Sequence, residues 1–350
     1  MASTVRNRIT SVKSLAESPE LTSIPPSYTF TTNPDDEEVV DPDDDPIPIV
    51  DYFLLVSGIP DQRSKAIHEL RKACEEWGFF IVDHHTVPNS LMEKMVHQVF
   101  AFFNLTEEEK QEYAGKNPTD PIKTGTSYNA SMDKVLFWRD FLKIFVHPEF
   151  HSPQKPPGFS ETLAEYCTRT RKVGRELLEG ISESLGLEGN YIDKAMNLDS
   201  GLQLIAANLY PPCPEPELAM GIPPHSDHGV LNLVIQNGVS GLQVLHNGKW
   251  VKVNANPNCL LVFVGDHLEI LSNGKYKSVL HRAVVSNEAT RMSLASLIAP
   301  CLDTVVEPAE KLLDKQRNPA AYIGMSFRDF LELTRSNNLY GKSVLDKLRI

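Results

Sequence analysis

The sequence lacks the features that mark several broad classes of protein. Its five cysteines among 350 residues are scattered, odd in number and without a CxxC pair. This pattern argues against a disulfide framework and for reduced thiols in the cytosol. No apolar run reaches the roughly 18 residues that a membrane span needs. We therefore expect a soluble, cytoplasmic protein with no membrane partner.

Motifs for nucleotide and nucleic-acid binding are absent as well. The sequence has neither a G-x-x-x-x-G-K-[ST] loop nor a G-x-G-x-x-G loop, and its lysines and arginines form no basic run. The net charge of −12 is concentrated, because residues 35–45 carry eight acidic side chains and no basic one. We interpret this stretch as a solvated linker and expect no nucleic-acid partner.

Hydrophobic spacing divides the chain into four regions. Residues 1–46 are interpreted as an N-terminal extension, in which a short surface helix rather than a transit peptide precedes the acidic linker. Residues 47–200 are expected to form a helical region that packs on a core at 201–310. Residues 311–350 return to a helical pattern.

Capping signals and periodicity locate the main elements before residue 200. Helices are predicted from Arg63 to Gly78 and from Ser160 to Leu185, and residues 47–50 are predicted to be the first strand. Two S/T-x-x-E capping boxes, at 90–93 and 106–109, predict two further helix starts. Residues 114–133 are expected to form a long loop.

Short β-rich runs separated by Asn-Gly turns fill the region after residue 200, and this pattern is typical of a sandwich or jelly roll. The predicted strands are 202–210, 231–236, 242–245, 250–253, 259–264, 278–285 and 293–299.

The tripeptide His225-Ser226-Asp227 is the strongest candidate for a metal site. On a strand, side chains at i and i+2 share a face, so His225 and Asp227 would aim at one point. His281 offers a third ligand. Two histidines and one carboxylate on one face of an octahedral ion leave three positions open, as in non-haem Fe(II) oxygenases.

A competing pair, His267 and Glu269, shows the same alternation and could use His281 as its partner. We favour His225 and Asp227 because a Pro-Pro turn is expected before them, a strand follows, and an Arg-x-Ser pair lies downstream. His267 is expected at a turn surface, with Glu269 making local hydrogen bonds.

The Arg-x-Ser pair is Arg291 and Ser293, which would share a strand face and could clamp a carboxylate. Arg291 lies between two apolar strands, and a buried guanidinium requires a carboxylate from the protein or from a ligand. Tyr210 and Asn208 share a face near the end of the first core strand, where a hydrogen-bonding role is plausible.

Several motifs together resemble those of the plant-type 2-oxoglutarate- and Fe(II)-dependent dioxygenases of the isopenicillin N synthase-like superfamily. The resemblance covers about residues 46–345 in order. The matching motifs are WGFF (77–80), NLYPPCP (208–214), HSD (225–227), GLQV (241–244), GD (265–266), LEI (268–270), SNGKYKS (272–278), HR (281–282) and RMS (291–293).

The resemblance implies an α+β fold with a double-stranded β-helix (jelly-roll) core flanked by helices. The implied Fe(II) ligands are His225, Asp227 and His281. The implied contacts of the 2-oxoglutarate co-substrate and the metal shell are Arg291, Ser293, Tyr210 and Asn208.

The implied reaction oxidises a small specialised metabolite or hormone with dioxygen, while 2-oxoglutarate is decarboxylated to succinate. Ascorbate is the expected reductant, and a monomer is expected. Hydroxylation is favoured over desaturation, ring closure or demethylation. Two rivals stay open: an ascorbate-dependent oxidase on the same scaffold, and a catalytically silent binding module on a jelly-roll core.

The sequence departs from several flavonoid-oxidising relatives at three positions. Those relatives carry a Lys two residues before the Asn of the NLYPPCP motif. They also carry a Phe and a Glu four and six residues after the Ser of the RMS motif. Here the positions hold Ala206, Leu297 and Ala299. This difference favours a more apolar or differently shaped substrate. The residues predicted to form the pocket wall are Thr124, Lys143, Ala206, Leu297, Ala299 and Phe327.

Overall fold

The computed structural model describes residues 11–31, 38–42, 46–115, 117, 120–127, 135–254, 256–336 and 343–350. The helices within these residues are α1 (Val12–Ala16), α2 (Tyr52–Ser57), α3 (Pro60–Glu76), α4 (Asn89–Phe103), α5 (Glu107–Gln111), α6 (Phe159–Ser184), α7 (Tyr191–Ala195), α8 (Asp266–Leu271), α9 (Phe327–Ser336) and α10 (Ser343–Lys347). The strands are β1 (Val39–Val40), β2 (Ile49–Asp51), β3 (Phe79–Asp83), β4 (Ile122–Thr126), β5 (Asp140–His147), β6 (Gln203–Tyr210), β7 (Ile222–His225), β8 (Leu231–Gln236), β9 (Leu242–His246), β10 (Lys249–Lys252), β11 (Leu260–Val264), β12 (His281–Ala283), β13 (Arg291–Ile298), β14 (Val305–Val306) and β15 (Met325–Ser326).

The strands form two main sheets. The larger sheet has the order β2-β3-β11-β8-β13-β6-β5-β4, and the smaller has the order β1-β10-β9-β12-β7. Pairing is antiparallel except between β2 and β3 and between β1 and β10. The larger sheet joins strands from both sides of residue 200, where the sequence suggests a regional boundary.

The larger sheet is buried on both faces, and the faces differ in chemistry. On β13, Met292, Leu294 and Ile298 belong to the apolar core, whereas Ser293 and Leu297 line a cavity. Strands β6 and β8 alternate in the same way. Because side chains alternate with a period of two, each strand serves the core with one face and the cavity with the other.

Helices α3, α4 and α6 cover the core face of this sheet. Leu163, Leu177 and Ile181 of α6 are fully buried there. At Gly174 a Cβ atom would lie 2.2 Å from the Cδ1 atom of Ile298 on β13. The missing side chain therefore lets the longest helix approach the sheet closely.

A second apolar cluster joins the two main sheets. It includes Val234 of β8 and Phe263 of β11 from the larger sheet, and Leu242, Val244 and Val251 from the smaller sheet. Two antiparallel sheets packed through such a cluster, with helices outside, form the jelly-roll architecture that the sequence predicts. No helix in the described ranges is long and apolar enough to cross a membrane.

The N-terminal segment packs on β5 instead of lying free at the surface. The backbone amides of Val12 and Lys13 donate to the carboxylate of Asp140 at 2.9 and 2.8 Å. Val12 also joins a buried cluster with Trp138 and Cys213. Among the described residues, the predicted short helix corresponds to α1. The buried carboxylate of Asp140 accepts hydrogen bonds from the first turn of this helix.

The prediction of a solvated acidic linker is wrong for residues 38–42. Strand β1 lies inside this stretch and pairs with β10. Glu38 and Asp41 form ion pairs with Lys249 and Lys252 at 2.7 and 3.3 Å. Two acids of the run thus pair with lysines on β10, and β1 precedes the strand predicted to be first. Residues 35–37 and 43–45 lie outside the described residues.

Two local predictions between residues 88 and 133 also need correction. Helix α4 begins one residue before Ser90 and has no side-chain cap, whereas the capping box at 106–109 is present at α5. The predicted loop 114–133 contains edge strand β4, which pairs with β5. Its residues 116, 118–119 and 128–133 lie outside the described part of the chain.

The two faces of β13 should respond differently to truncation. Leu294→Ala creates a cavity in the apolar core and should reduce the free energy of unfolding by about 2–5 kcal/mol. Leu297→Ala shortens a partly exposed side chain and should cost about 1 kcal/mol. Urea denaturation of both variants checks this, and equal losses would contradict the assigned faces.

Candidate metal centre and adjoining cavity

The two candidate histidines lie opposite each other on neighbouring strands. His225 ends β7 and pairs directly with His281, the first residue of β12. Their ring centroids are 4.3 Å apart. Asp227 lies two residues beyond the end of β7, and one ligand atom from each of the three residues lies within 4.8 Å of the others. These three side chains could hold one metal ion.

The local structure of this tripeptide differs from the sequence prediction. Pro223 and Pro224 lie within β7 instead of forming a turn before it, and Asp227 is outside the strand. β7 is an edge strand, so one of its sides has no neighbouring strand. A proline, which has no N–H group to donate, therefore costs fewer inter-strand hydrogen bonds there than in a central strand. The Asp227 carboxylate therefore lies near the histidines because the chain leaves β7 after His225, and not because side chains alternate along a strand.

Backbone carbonyls orient both imidazole rings. Nδ1 of His225 lies 2.8 Å from the carbonyl oxygen of Pro223, and Nδ1 of His281 lies 3.3 Å from that of Val279. Nδ1 is thus positioned to donate, which leaves the Nε2 lone pair of each ring for a metal. Burial, and secondarily the neighbouring His281, lowers the pKa of His225, so this ring is neutral at physiological pH.

Asp227 is held by two contacts that the sequence did not reveal. Asn232 donates from Nδ2 to Oδ2 of Asp227 at 2.7 Å, and the backbone amide of Asp266 donates to the Asp227 carbonyl at 2.8 Å. Nε2 of His225 and of His281 lie 3.9 and 3.7 Å from the carboxylate. The available signal for Asn232 was a polar side chain between two leucines of strand β8.

The competing pair is buried on helix α8, and the predicted turn surface for His267 is wrong. His267 packs against Phe330 with ring centroids 4.5 Å apart. Glu269 is also fully buried, and its bonds are not only local, because it accepts from Tyr322 at 2.7 Å and from Arg349 at 3.2 Å. Neither side chain lines the cavity beside His225.

A cavity that is open to solvent adjoins the three candidate ligands. Side chains from both main sheets line it. At one end they are buried and polar, and at the other they are partly exposed and, apart from one lysine, apolar. The buried end contains Arg291, Ser293, Tyr210 and Asn208. The open end contains Lys143, Leu204, Ala206, Ala295 and Leu297.

Arg291 brings a buried positive charge to the first of these ends. It is 3% exposed, and its Nη2 donates to Oε1 of Gln236 at 3.2 Å. Its Nε and Nη1 groups have no hydrogen-bond partner among the described residues. Burial lowers the pKa of Arg291, but a guanidinium whose ordinary pKa exceeds 12 stays charged. Two guanidinium nitrogens whose N–H donors face a cavity without a protein acceptor fit a carboxylate ligand.

A close backbone approach at Gly241 makes room for this side chain. A Cβ atom at Gly241 would lie 2.8 Å from Cδ of Arg291, and its φ of +148° is one that side chains rarely adopt. This packing gives a physical reason for the glycine of the GLQV motif.

A polar chain connects the remaining predicted co-substrate residues. Arg139 donates from Nη1 to Oδ1 of Asn208 at 2.7 Å, and Nδ2 of Asn208 lies 3.5 Å from Oγ of Ser293. The guanidinium carbon of Arg291 lies 5.0 Å from the centre of the Tyr210 ring. Arg139 was not predicted as a site residue, because it lies just before β5 and is far in sequence from Asn208, whose side chain it contacts.

Three of the six predicted wall residues line the cavity, namely Lys143, Ala206 and Leu297. The other three lie elsewhere. Thr124 donates to the Phe141 carbonyl at 2.7 Å, and Phe327 packs on His267 with ring centroids 4.8 Å apart. Ala299 follows the end of β13 and is buried. A substrate role for all six stays a prediction.

Comparisons with known proteins agree with this geometry. Residues 201–300 match the model of the 2OG-Fe(II) oxygenase superfamily. Residues 47–162 match the model described as the non-haem dioxygenase in morphine synthesis N-terminal region.

Individual relatives cover most of the chain. The 2-oxoglutarate-dependent dioxygenase 19 of Oryza sativa subsp. japonica is 48% identical, over 87% of this chain and 90% of its own. Flavanone 3-dioxygenase 2 of the same organism is 39% identical, over 87% of each chain. The crystal structure of JOX2 in complex with 2OG, Fe and JA is similar at 30% identity and a TM-score of 0.87, over 98% of each chain.

Metal binding should depend on Asp227 and not on the competing pair. Asp227→Ala removes a ligand, so Co(II) affinity measured by titration calorimetry should fall by more than the roughly 10–100-fold typical of a residue that only orients a ligand. His267→Gln is the control and should bind Co(II) like the parent. Unchanged affinity in Asp227→Ala would favour the binding-module rival.

Asn232 should act through Asp227. Asn232→Ala frees the carboxylate to rotate and should weaken Co(II) binding by about 10–100-fold. Gln236→Ala, on the same face of β8 but against Arg291, should leave Co(II) affinity unchanged. A loss of equal size in both variants would point to a general disturbance of the strand.

Proposed function

The chain belongs to the 2OG-Fe(II) oxygenase superfamily, and from this premise we propose that it hydroxylates a small specialised metabolite or hormone. One observation carries the proposal. A three-ligand centre and a buried guanidinium with two unpartnered nitrogens line the same cavity. The centre fits a ferrous ion, and the guanidinium fits a carboxylate of 2-oxoglutarate.

We assign the metal to Nε2 of His225, Nε2 of His281 and the carboxylate of Asp227. When bound, Fe(II) supplies, with 2-oxoglutarate and dioxygen, the oxidation of a substrate C–H bond, and the products are the hydroxylated substrate, succinate and CO₂. Ascorbate is the expected reductant. The backbone carbonyls at 223 and 279 keep both rings in one tautomer, and Asn232 keeps the carboxylate directed at the centre.

We assign the distal carboxylate of 2-oxoglutarate to Arg291 and Ser293. Gln236 accepts from one nitrogen of the guanidinium, Nη2, so the N–H donors of Nε and Nη1 remain available to a ligand. Tyr210 and Asn208 support this end of the cavity through the Tyr210 ring and the bond from Arg139. Because these side chains are buried, water competes weakly for the same donors.

The orphaned donors of Arg291 also decide between co-substrates. An ascorbate-dependent oxidase that lacks 2-oxoglutarate has no carboxylate to place against this guanidinium. Buried N–H donors without an acceptor are costly, so the observed site favours a resident dicarboxylate. We therefore rank the ascorbate-dependent oxidase second.

The substrate class is proposed from the relatives and from the cavity wall. A flavanone 3-dioxygenase and a structure with JA are among the similar proteins, and both names refer to small organic molecules. The open end of the cavity is walled by Leu204, Ala206 and Leu297, which suit an apolar body. Desaturation, ring closure and demethylation are the alternative outcomes of the same C–H oxidation.

We further propose that the protein acts as a monomer in the cytoplasm. All five cysteines are free thiols, as expected in a reducing compartment. Light scattering of the purified chain measures its mass directly, and a dimer mass would contradict the monomer.

Arg291→Gln tests the co-substrate assignment. Loss of the charged fork should weaken 2-oxoglutarate binding about 100-fold. Arg328→Gln, which removes an exposed arginine paired with Asp303, is the matched control and should bind like the parent. Binding is measured by calorimetry with Mn(II) present. Equal 2-oxoglutarate affinity in Arg291→Gln and the parent would contradict the clamp.

The reaction itself is tested by succinate release from a panel of small metabolites. A substrate should raise succinate formation and gain one oxygen atom in the product by mass spectrometry. Asp227→Ala should abolish both signals. Product formation with ascorbate but without succinate would favour the oxidase rival.

A further inference from the structure

Three buried polar side chains lie on neighbouring strands at the buried end of the cavity. Asn208 of β6 pairs directly with Ser293 of β13, and Arg139 lies just before β5, the strand on the other side of β6. Each of the three is at most 7% exposed, and each lines the cavity. Ser293 is assigned to 2-oxoglutarate, and Arg139 is two hydrogen bonds away from it.

The direction of these two hydrogen bonds follows from the chemistry of the side chains. Arginine has five N–H donors and no acceptor, so the Asn208 atom that faces Nη1 of Arg139 at 2.7 Å must be the carbonyl oxygen Oδ1. The amide nitrogen Nδ2 is then left to donate to Oγ of Ser293 at 3.5 Å. A serine oxygen that accepts this bond keeps its own O–H for a group in the cavity. We call this series of Arg139, Asn208 and Ser293 the relay.

The backbone of Ser127 holds the first member of the relay in place. Nε of Arg139 donates to the Ser127 carbonyl at 3.1 Å, and the Ser127 amide donates to the Arg139 carbonyl at 3.0 Å. Ser127 has a φ of +64°, in the left-handed region that residues other than glycine seldom adopt. Its Oγ accepts from the Phe137 amide at 2.9 Å. Such a conformation persists only where surrounding contacts hold it, so the position of Arg139 is well defined.

A second amide at this end of the cavity is oriented in the same way. Oε1 of Gln236 accepts from Nη2 of Arg291. In both pairs the amide oxygen faces an arginine and not the ligand. 2-Oxoglutarate with both carboxylates ionised has acceptors and no donor. The polarity of the two amides therefore matches this ligand.

We propose that Arg139 is a positioning residue for the co-substrate, because it fixes the direction of the relay so that the Ser293 hydroxyl donates to the distal carboxylate of 2-oxoglutarate. This inference rests on the proposed function and adds a residue to it. Without the guanidinium, the Asn208 amide is free to turn over and offer Oδ1 to Ser293. The hydroxyl would then donate to Asn208 and no longer to the carboxylate.

Calorimetric titration of the full chain with 2-oxoglutarate in the presence of Mn(II) tests the relay. Arg139→Met keeps a long side chain and removes its donors, so it should weaken 2-oxoglutarate binding about tenfold. Arg139→Lys again has donors only and should lose less. Arg171→Met is the matched control and should bind like the parent, because Arg171 is a partly buried arginine that donates to the Leu198 carbonyl and does not line the cavity.

A double-mutant cycle with Ser293→Ala separates positioning from a general loss of structure. Once the hydroxyl is gone, Arg139→Met should weaken binding less than about twofold further, because the relay has no group left to direct. Thermal unfolding followed by circular dichroism establishes that the compared variants are folded. A full tenfold loss in the Ser293→Ala background would overturn the proposal, since Arg139 would then act independently of the hydroxyl.

Asn208→Asp applies the same test while Arg139 keeps an acceptor, and it decides the question if Arg139→Met does not fold. Aspartate has no N–H for Ser293, so the hydroxyl should donate to the new carboxylate, and 2-oxoglutarate binding should fall about tenfold or more. The new charge is present in both backgrounds, so only the part of the loss that Ser293→Ala removes reports on the relay. Equal losses in the two backgrounds would contradict the proposal.

Failure of the relay and failure of the proposed function give different results. Unchanged 2-oxoglutarate affinity in Arg139→Met, beside a parent that binds 2-oxoglutarate, would overturn the relay and leave the oxygenase function standing. A parent that bound no 2-oxoglutarate with Mn(II) would refute the proposed function, and with it the ligand that the relay is inferred to hold.

Discussion

The candidate metal centre depends on the antiparallel pairing of β7 with β12. This pairing sets His225 opposite His281, at the separation that cross-strand neighbours always have. β12 also pairs with β9, so His281 is held from both sides, whereas β7 is an edge strand. Asp227 completes the set only because its carbonyl and its carboxylate are each tied to other parts of the core. The pairing of two short strands thus fixes the position of the candidate metal ligands.

The parts of this centre that sequence could predict are those set by residue type and short spacing. Histidines, a carboxylate and an Arg-x-Ser pair are unusual in apolar strands, and the strands after residue 200 were recognisable from alternation and turn residues. The parts that failed depend on distant contacts. Whether Pro223 lies in a turn or an edge strand depends on its neighbours in the sheet, and His267 is buried because the C-terminal helices cover it. Asn232 and Arg139 orient other residues, and no local pattern marks such a role.

The larger sheet contributes to the apolar core with one face and to the cavity with the other. One face of β6, β8 and β13 packs against helices, and the other face lines the cavity. Substitutions on the cavity face therefore leave the apolar core largely intact.

The docking of α1 on Asp140 gives the N-terminal segment an influence on the cavity. Residues 11–31 precede both matched family regions, yet two of their amides hold the carboxylate at the start of β5, between Arg139 and Phe141. A chain trimmed to the matched regions would leave that carboxylate buried without these donors, and Trp138 would face water. The position of β5, and with it of the cavity-lining residues Arg139 and Lys143, therefore depends in part on contacts from a segment outside both matched regions.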